Sequence, residues 1–163
     1  ARAARPNLFI KIPGTPEGLL AVEEAVFPGV PVNVTLLFSG EHYIAAAEAF
    51  LRGVERRLDN GLNPDVRSVA SVFVSRWDTA VAGRLPSILD NRLGIAMAKR
   101  VYKISREFLN SARWRRVFEA GARPQDLLWA STGTKNHQVS DVLYVTTLVS
   151  PFTIITIPEA TLN

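Results

Sequence analysis

Lys11 sits inside a short apolar run, Leu8-Phe9-Ile10-Lys11-Ile12, closed by Pro13-Gly14. Burial among such neighbours disfavours the charged ammonium. A neutral amine attacks a carbonyl and forms a Schiff base. The same pattern describes a lysine at a sheet edge or strand end that reaches solvent. Periodicity alone favours that plainer reading, because unusual lysines outnumber catalytic ones. Asn33 and Thr35 lie two positions apart in the run 30–38 (VPVNVTLLF) and so share one strand face. They either meet buried water and backbone groups or form a hydrogen-bonding pair beside Lys11. Ser71 and Phe73 share a face of the next run, and Arg76 follows it. Arg76 is either the surface partner of Asp78 or a fork for phosphate or carboxylate. Ser131-Thr132-Gly133-Thr134-Lys135 offers hydroxyls, backbone N–H groups and an ammonium, the makings of an anion-binding turn. Such turns are common, so this one is weak evidence alone.

The elements that must position these residues are legible from local signals. Thr15-Pro16-Glu17 supplies an N-cap, a proline for the first helical position and an acid for the first turn. A helix with Leu19, Leu20, Val22, Ala25 and Val26 as its apolar set follows, ended by Phe27-Pro28-Gly29. Ser39 caps an alanine-rich helix over 41–58, which Asn60-Gly61 stops. A third strand is predicted over 69–74 and a polar, proline-containing connection over 75–86. Helices are predicted over 94–109 and 111–120 and a fourth strand over 127–130. A short helical segment then starts at Ser140-Asp141, and the last strand covers 153–157.

The alternation of apolar strands and helices predicts an α/β fold with a parallel sheet covered by helices. An open doubly wound sheet and a (β/α) barrel both fit. No GxGxxG or GxxxxGK[ST] loop occurs to favour the first. In a barrel, chemistry gathers at the C-terminal ends of the strands, where these polar residues collect.

Composition narrows the function classes. The 163 residues are 47% hydrophobic and 21% charged, enough for a real core and incompatible with global disorder. The chain has no cysteine, which excludes disulfides, thiolate zinc sites and cysteine nucleophiles. Two histidines, His42 and His137, are too few for a histidine metal cage, and both read as surface residues. There is no long apolar run and no signal-peptide pattern, so a soluble cytoplasmic protein without a membrane partner is expected. The net charge of +4 is spread out, with its densest point at Arg113, Arg115 and Arg116 around Trp114. This reads as a solvated helix face, not a nucleic-acid surface, and a modest positive charge suits phosphate-bearing substrates. Trp77, Trp114 and Trp129 read as packing anchors.

Five segments carry a family resemblance: NLFIKIPGTPEG (7–18), VPVNVTLLFS (30–39), VASVFVSRWD (69–78), WASTGTKN (129–136) and IPEATL (157–162). In this order and spacing they resemble transaldolase, in particular the group with STGTK in the late-strand phosphate loop, some of whose members are fused to glucose-6-phosphate isomerase. The resemblance implies a (β/α)8 TIM barrel that works without cofactor or metal. It implies a dihydroxyacetone unit moved between sugar phosphates, from sedoheptulose 7-phosphate or fructose 6-phosphate to an aldose phosphate. Lys11 matches the family's Schiff-base lysine on strand four. Asn33 and Thr35 match the strand-five residues around the intermediate and its catalytic water. Ser71 and Phe73 match strand six, Arg76 the phosphate-binding arginine, and Ser131 and Lys135 the strand-seven serine and basic residue.

Two departures accompany the match. The family's first three strands supply an aspartate, an asparagine and a glutamate, and Asp78 and Glu159 do not occupy those positions. The last strand, TIITIPE, has Ile155 or a near neighbour where many relatives have asparagine. A full barrel takes about 250 residues. The expectation is therefore a single domain over 1–163 equivalent to strands four to eight, lacking strands one to three. Alone it should be inactive, and it should pair with a second copy or with the missing part through open sheet edges. A fructose-6-phosphate aldolase, which releases dihydroxyacetone, is the alternative of the same chemistry.

Overall fold

In the computed structural model, residues 7–134 and 139–162 are described. They build one five-stranded parallel sheet in the order β1-β2-β3-β4-β5, each strand beside its sequence neighbour. The strands are β1 (Ile10–Pro13), β2 (Val32–Leu37), β3 (Ser68–Phe73), β4 (Asp126–Ala130) and β5 (Thr153–Ile155). A doubly wound sheet reverses its strand order part-way, and this one does not. The helices are α1 (Pro16–Val26), α2 (Gly40–Asp59), α3 (Ser75–Val81), α4 (Leu93–Leu109), α5 (Ala112–Glu119), α6 (Leu143–Leu148) and α7 (Glu159–Leu162).

The local signals behave as their chemistry dictates. Thr15 Oγ1 accepts from Gly18 N at 3.2 Å, Ser39 Oγ from His42 N at 3.2 Å, and Ser111 Oγ from Trp114 N at 3.2 Å. Gly53 lets α2 lie close on α1, since a Cβ there would meet the Val26 side chain at 2.7 Å. Leu20, expected in the apolar set of α1, is 68% exposed.

The connection expected over 75–86 begins instead as helix α3. Long-range contacts make it helical. Trp77 Nε1 donates to Phe38 O at 2.8 Å, and Asp78 is buried between Gly94 and Tyr144. A single 3₁₀ turn, Ser87–Leu89, and the short α7 were not predicted.

Register divides the sheet into two faces. Val32, Val34, Ala70, Val72, Leu127 and Trp129 point one way and join the helices' Val22, Val26, Phe50, Val54, Val101 and Trp114 in one core cluster. The alternate positions, Lys11, Asn33, Thr35, Val69, Ser71, Phe73, Leu128 and Ile154, point the other way, and none belongs to that cluster. Among the described residues the core therefore lies on one side of the sheet, and Ile154 on the other side is 41% exposed.

Candidate active site

The face away from the core gathers five of the predicted site residues. Lys11 on β1 stands opposite Asn33 on β2, and adjacent strands lie about 4.8 Å apart. Ser71 on β3 reaches back across the sheet, its hydroxyl donating to Asn33 Oδ1 at 2.7 Å. That bond fixes the Asn33 amide with its nitrogen left to donate elsewhere. Thr35 is buried, and its Oγ1 has no hydrogen-bond partner among the described residues. Such an orphaned hydroxyl calls for a water or ligand group, because leaving it unpaired costs about 1–3 kcal/mol.

A β-bulge frames Thr35. The β2–β3 register shifts between Val34 and Leu37, and Leu36 takes a left-handed φ of 62°. Without the bulge Leu37 would point away from the core; with it, Leu37 is fully buried against Val72 while Thr35 stays on the opposite face. Leu36, itself exposed, carries a backbone cost of roughly 1–2 kcal/mol. No sequence signal marks it, since leucine is a poor choice for φ > 0.

Lys11 departs from the buried environment that its apolar neighbours suggest. It is exposed, because β1 is an edge strand and the face it occupies lies outside the core. The plainer reading, a lysine at a sheet edge reaching solvent, describes its surroundings in this chain.

Beyond the strand ends lie the anion-binding candidates. Arg76, in the first turn of α3, is exposed and holds its guanidinium 5.7 Å from the centre of the Phe73 ring. The surface pairing with Asp78 does not form. Asp78 accepts from Gly94 N at 3.1 and 3.2 Å and from the Tyr144 hydroxyl at 2.8 Å. Burial, reinforced by the Asp78 carboxylate, pushes the Tyr144 phenol well above its ordinary value. This network was not legible because its members are 16 and 66 residues apart. Gly94 is required there: a Cβ would meet Val74 O and Asp78 Oδ2 at 2.6 Å.

Ser131 holds a left-handed φ of 56° and shares a 2.9 Å hydrogen bond with Ser75 Oγ, tying the loop after β4 to the start of α3. Thr132 is buried and donates to Thr156 O, so its hydroxyl serves the loop and not an anion. Lys135 and His137 lie outside the described residues. His42 is exposed, with Nδ1 accepting from Phe38 N at 3.3 Å. Trp114 and Trp129 are buried, as packing anchors should be, and Trp77 is half-buried.

Two of the three arginines in the cluster are paired locally. Arg113 bonds Glu48 at 2.5 Å and Glu55 at 2.6 and 2.8 Å, and Arg116 bonds Glu55 at 3.0 Å. Arg113 and Arg116 therefore present a paired helix surface. Among the described residues no group of three or more His, Cys, Asp or Glu side chains converges on a metal position.

Residues 1–163 match the profile of the transaldolase/fructose-6-phosphate aldolase family. The chain belongs to that family. It is 48% identical to a transaldolase of Thermobifida fusca over 167 residues, covering 98% of this chain and 45% of that protein. A transaldolase of Parafrankia sp. is 47% identical with the same coverage, and one of Renibacterium salmoninarum is 44% identical over 100% of this chain and 46% of the relative. The chain thus spans a little under half the length of the curated relatives it matches. Lys11, Asn33, Thr35 and Ser71, the residues expected from the sequence to match the family's site, share the face described above.

Proposed function

We propose that this chain is the strand-four to strand-eight part of a transaldolase (β/α)8 barrel, one domain over 1–163, and carries its Schiff-base lysine. The observation that supports this most is the shared face. Lys11, Asn33, Thr35 and Ser71 sit on adjacent parallel strands with a Ser71–Asn33 hydrogen bond and an unsatisfied Thr35 hydroxyl. Sequential winding with the core on one side is what an arc of such a barrel requires. The missing arc, strands one to three, would cover the Lys11 edge and supply the aspartate, asparagine and glutamate that the family draws from those strands.

In this reading the Lys11 amine adds to the C2 carbonyl of a ketose phosphate, and loss of water gives an iminium. The C3–C4 bond then breaks. Its electron pair passes into the iminium, the C4 hydroxyl loses its proton to a base on the missing arc, and an aldose phosphate leaves. The enamine that remains adds to the aldehyde of an acceptor, and water frees the new ketose phosphate. The Asn33 amide and the Thr35 hydroxyl hold the hydroxyls of the intermediate and the catalytic water. Arg76, with Ser131 and Lys135, takes the phosphate. The chemistry calls for no metal or cofactor, and the partners are sugar phosphates. The reading carries a cytoplasmic location, and no helix among the described residues is long and apolar enough to cross a membrane.

Borohydride reduction of the full-length enzyme with fructose 6-phosphate is the test. It should leave a reduced adduct on Lys11, and a Lys11→Arg variant should show none. Absence of any adduct on the full-length protein overturns the assignment. The 163-residue chain alone should show no turnover. Fructose-6-phosphate aldolase is the second reading, because the family's own description names it. Transfer to an added aldose phosphate, as against release of free dihydroxyacetone, separates the two.

A further inference from the structure

Two of the groups assigned to the substrate phosphate stand on different elements, Arg76 in the first turn of α3 and Ser131 after β4. One residue joins them. Ser75, the first residue of α3 and the neighbour of Arg76, meets Ser131 at two points. Its backbone N–H donates to Ser131 O at 3.0 Å, and its Oγ lies 2.9 Å from Ser131 Oγ. One residue earlier, Val74 N donates to Ala130 O at 3.0 Å, so the β3–β4 pairing continues past the strand ends.

Ser131 has a left-handed φ of 56°, which a serine adopts at a cost. Such a conformation persists only where the surroundings hold it. Ser75 does so by gripping the carbonyl and the side chain of the same residue. Ser131 is half-buried, whereas Ser75 is 2% exposed and too enclosed to touch a substrate itself.

Proton counting gives the contact a direction. In the free protein the 2.9 Å bond can run either way. A phosphate dianion only accepts, and a hydroxyl has one proton to give. Once Ser131 gives its proton to the phosphate, it can only accept from Ser75. The Ser75 hydroxyl is then the donor, and its bond polarises the Ser131 hydroxyl so as to strengthen the bond to the anion. We propose that Ser75 is a positioning residue for the substrate phosphate, acting through Ser131 and setting it against Arg76. This rests on the transaldolase reading above.

Borohydride trapping on Lys11 in the full-length enzyme is the test, run with fructose 6-phosphate and with dihydroxyacetone, which shares the ketone and lacks the phosphate. Ser75→Ala should raise the half-saturating concentration of fructose 6-phosphate about fivefold to tenfold, the worth of one hydrogen bond. That of dihydroxyacetone should not move. In a Ser131→Ala background, Ser75→Ala should add less than about twofold, because the group it acts through is gone. Ser75→Cys keeps the shape with a weaker donor and should shift fructose 6-phosphate in the same direction. It decides the matter if the alanine variant fails to fold. Equal shifts for both ketones would mean a merely structural role and would overturn the proposal. Absence of any adduct on the unaltered enzyme overturns the Schiff-base reading and this inference with it. An adduct whose dependence on fructose 6-phosphate ignores Ser75 overturns this inference alone.

Discussion

The two faces of the sheet use the same strands for opposite ends. Toward the helices, Val34, Ala70, Val72 and Trp129 are at most 2% exposed and pack without a polar atom except the Trp129 indole, which donates to Leu148 O. Away from them, the same strands present a lysine, an asparagine, a threonine and a serine. Period-two alternation makes this possible, since one strand can carry a packing code and a chemical code without either disturbing the other. The chemical face also borders one strained residue, Leu36, and holds one unpaired buried hydroxyl, that of Thr35.

Truncations on the two faces should expose the difference, and the largest effect belongs to the packed one. Trp129→Ala should cost about 3–5 kcal/mol in urea unfolding. Ile154→Ala, on the open face, should stay within about 0.5 kcal/mol. A cost for Ile154 near that of a core residue would mean the face is covered in solution, and sizing chromatography would then show a dimer or larger species. Asp78→Ala should cost roughly 2–4 kcal/mol, because it strands the Tyr144 hydroxyl and the Gly94 N–H in a buried place. Asp78→Asn should recover part of that loss.

Leu36→Gly tests the strained side directly. It should be neutral or stabilise by up to about 1 kcal/mol, as glycine tolerates the left-handed conformation. A clear loss in the thermal melt would show instead that the Leu36 side chain is packed. The smallest effect lies outside both faces, in the Glu55–Arg113 pair. The hydrogen bond from Arg113 holds the Glu55 carboxyl below its ordinary value of 4.5. A depressed carboxyl stabilises the fold above its unfolded value, and that contribution is lost as pH falls through the folded one. Arg113 is 42% exposed, so the loss between about pH 5 and 3 should be no more than roughly 1 kcal/mol. Glu55→Gln should flatten the acid limb of the melt by that amount.

The sequence showed the elements whose causes are local and missed those whose causes are distant. Thr15-Pro16, Ser39 and Ser111 are caps that act within four residues, and the helices they start were placed within a residue or so. Helix α3 owes its existence to Phe38, Gly94 and Tyr144, so a polar stretch with a proline read as a loop. Counting alone put Asn33 with Thr35 and Ser71 with Phe73 on their own strands' faces, and the strand register joins both pairs to the face of Lys11. For Lys11 the reading that periodicity favoured, a lysine at a sheet edge reaching solvent, describes the exposed residue, although its apolar neighbours also fit burial. The Leu36 bulge left no trace, since nothing in its composition asks for a positive φ.

The strand order has a kinetic consequence. Every strand pairs with the next one along the chain, so each added strand closes a loop of one helix-bearing unit and no more. The entropy of closure rises only slowly with such lengths, and contacts of short sequence separation form fast. A sheet wound this way can lengthen one unit at a time from either end. One of its two edges here is the strand that carries Lys11.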